Sequence, residues 1–347
     1  MISVVMTNYN YAIYLAVAIE AVLNQSMQPK EFIIVDDAST DGSMEIIEKY
    51  SHENPIIHIV RKKQNGGVLA SLNDGLRMAK CRYVIFASSD DVILPGLFAE
   101  SLDLLEQYPQ SSMCAGQTKI YDERKQPDNQ LNFGPVLPRT GYYTPELALK
   151  YMKRYGFWFV GNTVMFRRQM LTDVGGFPGD LGPLCDSFIS QVLALSYGFC
   201  YIRKPLASMR INPSSYSMKA RGNIQYCREI VENAVKYMRT TYRDIFPDAF
   251  IRDWKEISLF LNAVYSWRNE VLFYQLKFLN DTIKIVRSKP GLIDKCFCLL
   301  IKTSSYIQFF IVLKYFFTLF FHRPLFWQYL SFKRFLHFTK RVLRFNN

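Results

Sequence analysis

The run Tyr83-Val84-Ile85-Phe86-Ala87-Ser88-Ser89-Asp90-Asp91 carries an apolar segment of buried-strand type directly into two adjacent carboxylates. Carboxylates at such a strand end suit a hard cation, since Mg2+ and Mn2+ prefer oxygen ligands and share one or two protein carboxylates with phosphate oxygens. Two acids in a turn are also ordinary in a solvated loop or a helix N-cap. A second pair, Asp36 and Asp37, opens Asp36-Asp37-Ala38-Ser39-Thr40-Asp41-Gly42-Ser43. A carboxylate there can accept hydrogen bonds from the N–H edge of a base, while Ser39, Thr40 and Asp41 are favoured helix caps. Asn65-Gly66-Gly67 reads either as a turn or as a close backbone approach to a ligand.

These residues need a common frame, and the apolar runs at Ser3 to Thr7, Phe32 to Val35, Ile56 to Val60 and Tyr83 to Ala87 supply one. Each is followed by polar or glycine-rich residues and then by helical patterning, which predicts β-α units around a mainly parallel sheet. Ligands in such sheets collect where the strand C-terminal ends meet. The loops Thr7-Asn8-Tyr9-Asn10, Asp36 to Ser43, Asn65-Gly66-Gly67 and Ser88 to Asp91 are therefore expected to open onto one crevice. Helices are predicted over Ala12 to Gln25, after Thr40, after Val68 and after Pro95, with Pro95 at a helix start.

Tyr121 to Arg139, with Pro127, Pro135 and Pro138, reads as a connection without strong structure of its own. A helix is expected over Thr144 to Tyr155, a strand over Trp158 to Arg167, a turn over Asp173 to Gly182, a helix over Asp186 to Tyr197 and a strand over Phe199 to Lys204. From about Arg221 the chain reads as successive helices, with breaks near Pro247, near Asn269 and at Pro290-Gly291.

A chain of 347 residues that is 49% hydrophobic can build a large core, so disorder is not its default. Seven cysteines without a Cys-x-x-Cys pair read as reduced thiols, and four scattered histidines offer no zinc site. The first residues enter a strand without a basic region and long apolar run, so no secretory signal is visible and a cytoplasmic site is expected. The net charge of +12 is uneven: residues 1–110 hold 8 Lys+Arg and 14 Asp+Glu, net −6, which leaves +18 for the rest.

Several motifs then occur in the order and register of a known family, and the chain resembles the inverting family 2 glycosyltransferases of GT-A fold over residues 1–215. Ser3-Val4-Val5-Met6-Thr7-Asn8-Tyr9-Asn10 resembles the family's first strand and loop, and Ile34 to Ser43 its nucleotide loop. Asn65-Gly66-Gly67-Val68 with Asn73 and Gly75 resembles its glycine-rich helix entry, Ser88-Ser89-Asp90-Asp91 its metal motif, and Gly175-Gly176-Phe177 before Asp186 its acceptor half. The resemblance implies a Rossmann-like α/β fold: a mixed, mainly parallel sheet flanked by helices. Residues 1–120 are then the nucleotide-sugar half and 140–215 the acceptor half, followed by a helical, basic and aromatic C-terminal extension over 216–347. It assigns Thr7, Asn8, Tyr9, Asp36, Asp37, Asn65, Gly66, Gly67, Asn73 and Asp90 to the donor, with Asp37 and Asp36 at the nucleobase. It also assigns Asp90 and Asp91 to Mn2+ or Mg2+, and Asp186 to the base that deprotonates the acceptor hydroxyl. Asp186 is equally placed to cap its helix. The sequence departs from the family at Ser88, where the first acid of an Asp-x-Asp is common, at Cys185 in place of a glutamate, and at Asn212, where many relatives carry histidine.

The run Ser304 to Phe321 is apolar and aromatic but interrupted by Gln308 and Lys314, and basic residues follow it. That suits a helix lying in the interface of an anionic leaflet better than intramolecular packing or an oligomer contact, and both better than a clean span. The implied function is transfer of a sugar from a nucleotide-diphosphate donor, a UDP-sugar being expected, to a glycan or lipid-linked acceptor at the inner face of the cell membrane. No nucleic-acid motif is present. The rival expectations are a noncatalytic sugar-nucleotide-binding or scaffold protein and a nucleotidyltransferase on a related sheet.

Overall fold

The computed structural model describes residues 1–121, 131–133, 137–155, 159–210, 212 and 215–266. The chain divides into two compact units, the first made of Met1–Lys150, Phe157–Ala220 and Glu232–Pro247, the second of Tyr151–Gly156, Arg221–Val231 and Asp248–Asn347.

The first unit carries the sheet. Its first half alternates as expected: β1 (Ile2–Asn8), α1 (Ala12–Leu23), β2 (Glu31–Asp36), α2 (Ser43–Glu53), β3 (Ile57–Arg61), α3 (Val68–Met78) and β4 (Tyr83–Ser88). β1, β2 and β4 are buried along almost their whole length, because helices cover a parallel sheet on both faces. Next come β5 (Val92–Ile93), α4 (Leu97–Gln107), β6 (Met113–Tyr121), β7 (Leu131–Phe133), β8 (Gly141–Tyr143) and α5 (Pro145–Tyr155). The remainder of this unit holds β9 (Met165–Arg167), α6 (Arg168–Asp173), α7 (Cys185–Tyr197), β10 (Phe199–Arg210) and α8 (Tyr216–Gly222).

The sheet order is β3-β2-β1-β4-β9-β6-β10-β5, with β7 on β6 and β8 on β10. β1, β2, β3 and β4 are mutually parallel, so the loops after all four emerge at one edge. β9 runs antiparallel between β4 and β6, and β10 runs parallel to β6. The start of β9 and the end of β10 therefore lie at that same edge. Leu15, Ile19 and Val22 of α1 and Leu97, Phe98 and Leu105 of α4 pack into the core over Val4, Met6 and Ile85. Gly75 sets how closely α3 lies on β1: a Cβ there would stand 2.2 Å from Val5 Cγ1.

The sequence expectations need several corrections. Pro95 lies outside its helix, since Gly96 at φ 95° takes a left-handed turn and α4 begins only at Leu97. The connection after Tyr121 contains β7, which pairs with β6 from Thr118 to Ile120. The strand expected over Trp158 to Arg167 is a strand only over Met165–Arg167, because Gly161–Thr163 forms a 3-10 turn. β6 itself, with Gly116-Gln117-Thr118 at its centre, lacks the apolar run that marks the other core strands.

The described residues of the second unit are helical. α9 (Ile224–Arg239) begins in it, capped by Asn223 Oδ1 accepting from Tyr226 N at 3.0 Å, and α10 (Asp248–Ser266) buries Phe250, Ile251, Trp254 and Leu259 along one stripe. The break near Pro247 separates α9 from α10 as expected. The breaks at Asn269 and Pro290-Gly291 and the apolar run 304–321 lie outside the described residues. No described helix is long and apolar enough to cross a membrane.

Candidate active site

The first two loops are sewn together by short polar side chains. Asn8 Nδ2 donates to Asp36 Oδ1 at 2.9 Å and to Ser39 Oγ at 3.1 Å, and Asp37 N donates to Asn8 O at 2.9 Å. Asp36 accepts further bonds from Ser39 N and Ser39 Oγ at 2.9 and 2.6 Å, so this buried carboxylate is committed to shaping its own loop. Asn10 Oδ1 accepts from Thr40 N at 2.8 Å. Asn10 and Ala38 adopt φ of 59° and 63°, a left-handed conformation that costs a non-glycine residue free energy and here is held by this web. Thr7 is half-buried and Tyr9 is exposed on the same loop.

Asp37 ties the second loop to the third. Its Oδ1 accepts from Gly66 N at 2.9 Å and pairs with Lys62 Nζ at 2.7 Å, and its Oδ2 accepts from Gly67 N at 2.8 Å. Burial pushes its pKa up, but Lys62 and the two amides outweigh that and hold it below the usual carboxylate value. A Cβ at Gly66 would stand 2.6 Å from Lys62 Nζ and displace the ammonium that pairs with Asp37, and Gly67 turns at φ 86° while Asn65 Oδ1 accepts its N–H at 2.9 Å. Asn73 is engaged elsewhere: its amide donates to Phe177 O at 2.8 Å and accepts from Phe177 N at 3.0 Å, pinning the Gly175-Gly176-Phe177 turn to α3.

The acidic pair lies at the same edge. Ser88 Oγ donates to Asp90 Oδ1 at 2.7 Å. Asp91 Oδ1 accepts from Arg210 N at 2.9 Å, and Asp91 Oδ2 accepts from Asn162 Nδ2 at 2.8 Å. Arg210 Nε donates to Asp90 O at 3.1 Å, and its guanidinium lies 4.0 Å from the centre of the Tyr14 ring. Burial, then the neighbouring Asp90 charge, pushes Asp91 up to about 7. Burial and both carboxylates likewise push Tyr11 up to about 12.

Among the described residues no group of three or more His, Cys, Asp or Glu side chains converges as a metal site. Asp90 and Asp91 nevertheless fit a divalent cation held jointly with phosphate, since both are hard oxygen donors on adjacent residues at the end of β4.

Asp186 stands inside the first turn of α7, where its Oδ1 accepts from Ser187 N at 2.7 Å; the cap position is Leu184, so Asp186 is an acid at the helix N-terminus and not its N-cap. Its Oδ2 lies over Gly161, where a Cβ would be only 2.4 Å away. The 3-10 turn thus touches Asp186 with Gly161 and Asp91 with Asn162. Gly161, Asn162, Lys62 and Tyr14 were not singled out by sequence reasoning. Gly161 and Asn162 sit in a segment that reads as strand, and no spacing marks the other two. Asn212 O accepts from Ser215 N at 3.0 Å, closing a turn before α8.

Comparison with known proteins bears on the family and the fold. Residues 3–175 match the family described as Glycosyl transferase family 2. The minor teichoic acid biosynthesis protein GgaB of Bacillus subtilis (strain 168) is 37% identical over 108 residues, which cover 30% of this chain and only 12% of GgaB. The structure of S. aureus TarS 1-349 in complex with UDP-GlcNAc shares the fold at a TM-score of 0.58 and 20% identity, covering 82% of this chain and 81% of that one. The mannosyltransferase PcManGT from Pyrobaculum calidifontis, in complex with GDP-Man and Mn2+, matches at a TM-score of 0.51 and 17% identity over 88% of this chain and 84% of its own. The central sheet flanked by helices is thus the GT-A architecture. Through residues 3–175 the chain belongs to glycosyl transferase family 2.

Proposed function

We propose that the protein is an inverting glycosyltransferase of polysaccharide biosynthesis, with residues 1–215 as its transferase domain, moving one sugar from a nucleotide-diphosphate donor to a glycan or lipid-linked acceptor. The observation that carries this reading is the Gly161-Asn162 turn, which ties the half-buried acid Asp91 to the helix-borne acid Asp186 at the edge where the donor loops emerge. Similarity to a teichoic acid biosynthesis protein supports the acceptor class, and the UDP-GlcNAc complex of a protein of the same fold supports a UDP-sugar donor.

In this reading Thr7, Asn8, Tyr9, Asp36, Asp37, Asn65, Gly66 and Gly67 form the nucleotide side, while Asn73 positions the acceptor half through Phe177. Asp90 and Asp91 would hold Mn2+ or Mg2+, which would supply positive charge to the leaving diphosphate. Asp186 accepts the proton of the attacking hydroxyl, its carboxylate held by the Ser187 N–H and wedged over Gly161. The C-terminal region gives peripheral contact with the cytoplasmic face of the membrane.

The test is release of nucleoside diphosphate from a panel of nucleotide sugars with Mn2+ or Mg2+, with and without chelator. Release from one donor that stops with chelator is expected, and Asp186→Asn should lower transfer at least about 100-fold while leaving donor affinity within about twofold. Donor binding without release, even with membrane lipid extract as acceptor source, would instead favour the noncatalytic reading that Ser88 in place of an acid suggests.

A further inference from the structure

The chain between α6 and α7 leads straight to the acid assigned to deprotonation, and it has little shape of its own. Gly175, Gly176 and Gly182 take φ of 88°, 72° and 51°, a region that costs any other residue free energy, and the last of them kinks a second 3-10 turn over Gly179–Leu184. Where Asp186 stands is therefore decided by what grips this segment from outside. Asn73 holds it at Phe177.

A further grip comes from Glu232–Pro247, a stretch that belongs to the first unit. Tyr242 Oη donates to Val174 O at 3.1 Å, where the segment begins. Asn233 Nδ2 donates to Asp180 O at 3.0 Å, and Tyr237 Oη donates to Asp180 Oδ1 at 3.1 Å. Asn233 and Tyr237 are four residues apart on α9, so one helix face holds both the main chain and the side chain of a single residue in the turn. Phe188, fully buried two residues after Asp186, packs its ring against Tyr237, Tyr242 and Phe246 at centroid distances of 6.2, 5.9 and 6.1 Å. The first turn of α7 is thus braced by this packing as well as by the contact of Asp186 with Gly161. The two bonds to Asp180 are exposed and add little to global stability, so their consequence is geometric.

Resting on the transferase reading above, with Asp186 as base, we infer that Asn233 and Tyr237 are positioning residues of the transfer step. By holding Asp180 they fix where α7 starts, and so where the Asp186 carboxylate meets the acceptor hydroxyl. The transferase then needs Glu232–Pro247 in addition to residues 1–215. Neither residue lies on a donor loop, so donor binding is spared.

The experiment uses the full chain with the nucleotide sugar selected by the panel, Mn2+, and membrane lipid extract as acceptor source. Wild type, Asn233→Ala with Tyr237→Phe, Asp186→Asn, and all three substitutions together are compared by nucleotide-sugar affinity and by single-turnover transfer rate per binding site. The Asn233→Ala, Tyr237→Phe pair is expected to slow transfer about tenfold with nucleotide-sugar affinity within about twofold. Because the effect runs through Asp186, the same pair should cost less than about twofold in the Asp186→Asn background, where a merely structural role would cost as much as before. A loss that persists in that background, a rate like that of wild type, or a rate and an affinity that fall together would each overturn the inference. Should the paired variant fail to fold, Asp180→Ala and Asp180→Asn decide. Alanine, which loses the Tyr237 bond, should slow transfer about threefold, whereas asparagine, which keeps an oxygen for it, should not. Equal rates for those two would overturn the inference. A wild type that transfers nothing, or an Asp186→Asn variant that transfers like wild type, fails at the transferase reading or its base, a distinct result that also removes this one.

Discussion

At the scale of single residues, atoms that are missing matter as much as charges that are present. Gly161 has ordinary backbone angles, so its lack of a side chain serves the Asp186 carboxylate lying 2.4 Å from where a Cβ would be. Gly161→Ala should therefore push that carboxylate aside, lowering transfer about 100-fold with donor affinity within about twofold and at most about 1–3 kcal/mol of stability lost. Steady-state kinetics beside a denaturation curve would check this, and unchanged turnover would detach Asp186 from the chemistry. Asp37 is the complementary case, a buried carboxylate whose pKa is held low by Lys62 and the Gly66 and Gly67 amides despite burial. A depressed folded pKa contributes stability above the unfolded value of about 3.9, and that contribution is lost as pH falls through the lower folded value. Asp37→Asn should accordingly destabilise by about 2 kcal/mol near neutral pH, with the gap to wild type closing below about pH 4. Denaturant unfolding at the two pH values measures it, and a gap independent of pH would mean that the charge is not what matters.

Elements are where the sequence speaks most clearly and also where it falls silent. β1, β2 and β4 are legible because a parallel strand covered on both faces reads as an unbroken apolar run. β6 is not, because Gly116 yields its place to Leu206 and Thr118 spends its hydroxyl on Ala207 O at 3.0 Å, so buried positions carry small or polar residues. The same logic governs the site. Asp90, Asp91 and Asp186 are visible as acids at element ends, but Asn162 is one amide in an apolar stretch, and only the turn that brings Gly161 to Asp186 gives it meaning. The helix-cap reading of the second loop is displaced by a residue: Gly42 holds the cap position of α2, and Asp41, just before it, accepts from Ser43 N at 3.0 Å through Oδ1. Its Oδ2 accepts from Ala12 N, also at 3.0 Å, at the start of α1, a reach across loops that spacing alone does not reveal. One carboxylate at two helix N-termini is favoured by both dipoles, so Asp41→Ala should cost about 1–2 kcal/mol and Asp41→Asn about half of that. Thermal melts of the two variants test it, and a cost for alanine below about 0.3 kcal/mol would show that the loops hold without this carboxylate.

For the molecule as a whole, charge is the feature that no single site accounts for. Residues 1–110, which hold most of the donor loops, carry net −6, and the remaining chain carries +18. On the proposed function, a nucleotide diphosphate entering this acidic half would depend on local cations, and the large positive remainder would answer to some other anion. After Pro290 there are nine Lys and Arg against the single acid Asp294, interspersed with Phe, Tyr and Trp, a composition that favours an anionic lipid surface over free solution. Each basic residue near such a surface contributes about 1 kcal/mol, and the attraction decays within a Debye length of about 10 Å at 0.1 M salt. Full-length protein should therefore sediment with vesicles containing anionic lipid at about 0.1 M salt and remain in solution with purely zwitterionic ones. Aromatic insertion makes a second, separable claim: binding carried by charge alone would be abolished at about 0.5 M salt, whereas a helix with its apolar face in the interface would retain a salt-resistant fraction. Equal binding to both vesicle types would remove the electrostatic argument, and no binding to either would leave the acceptor to be met in solution.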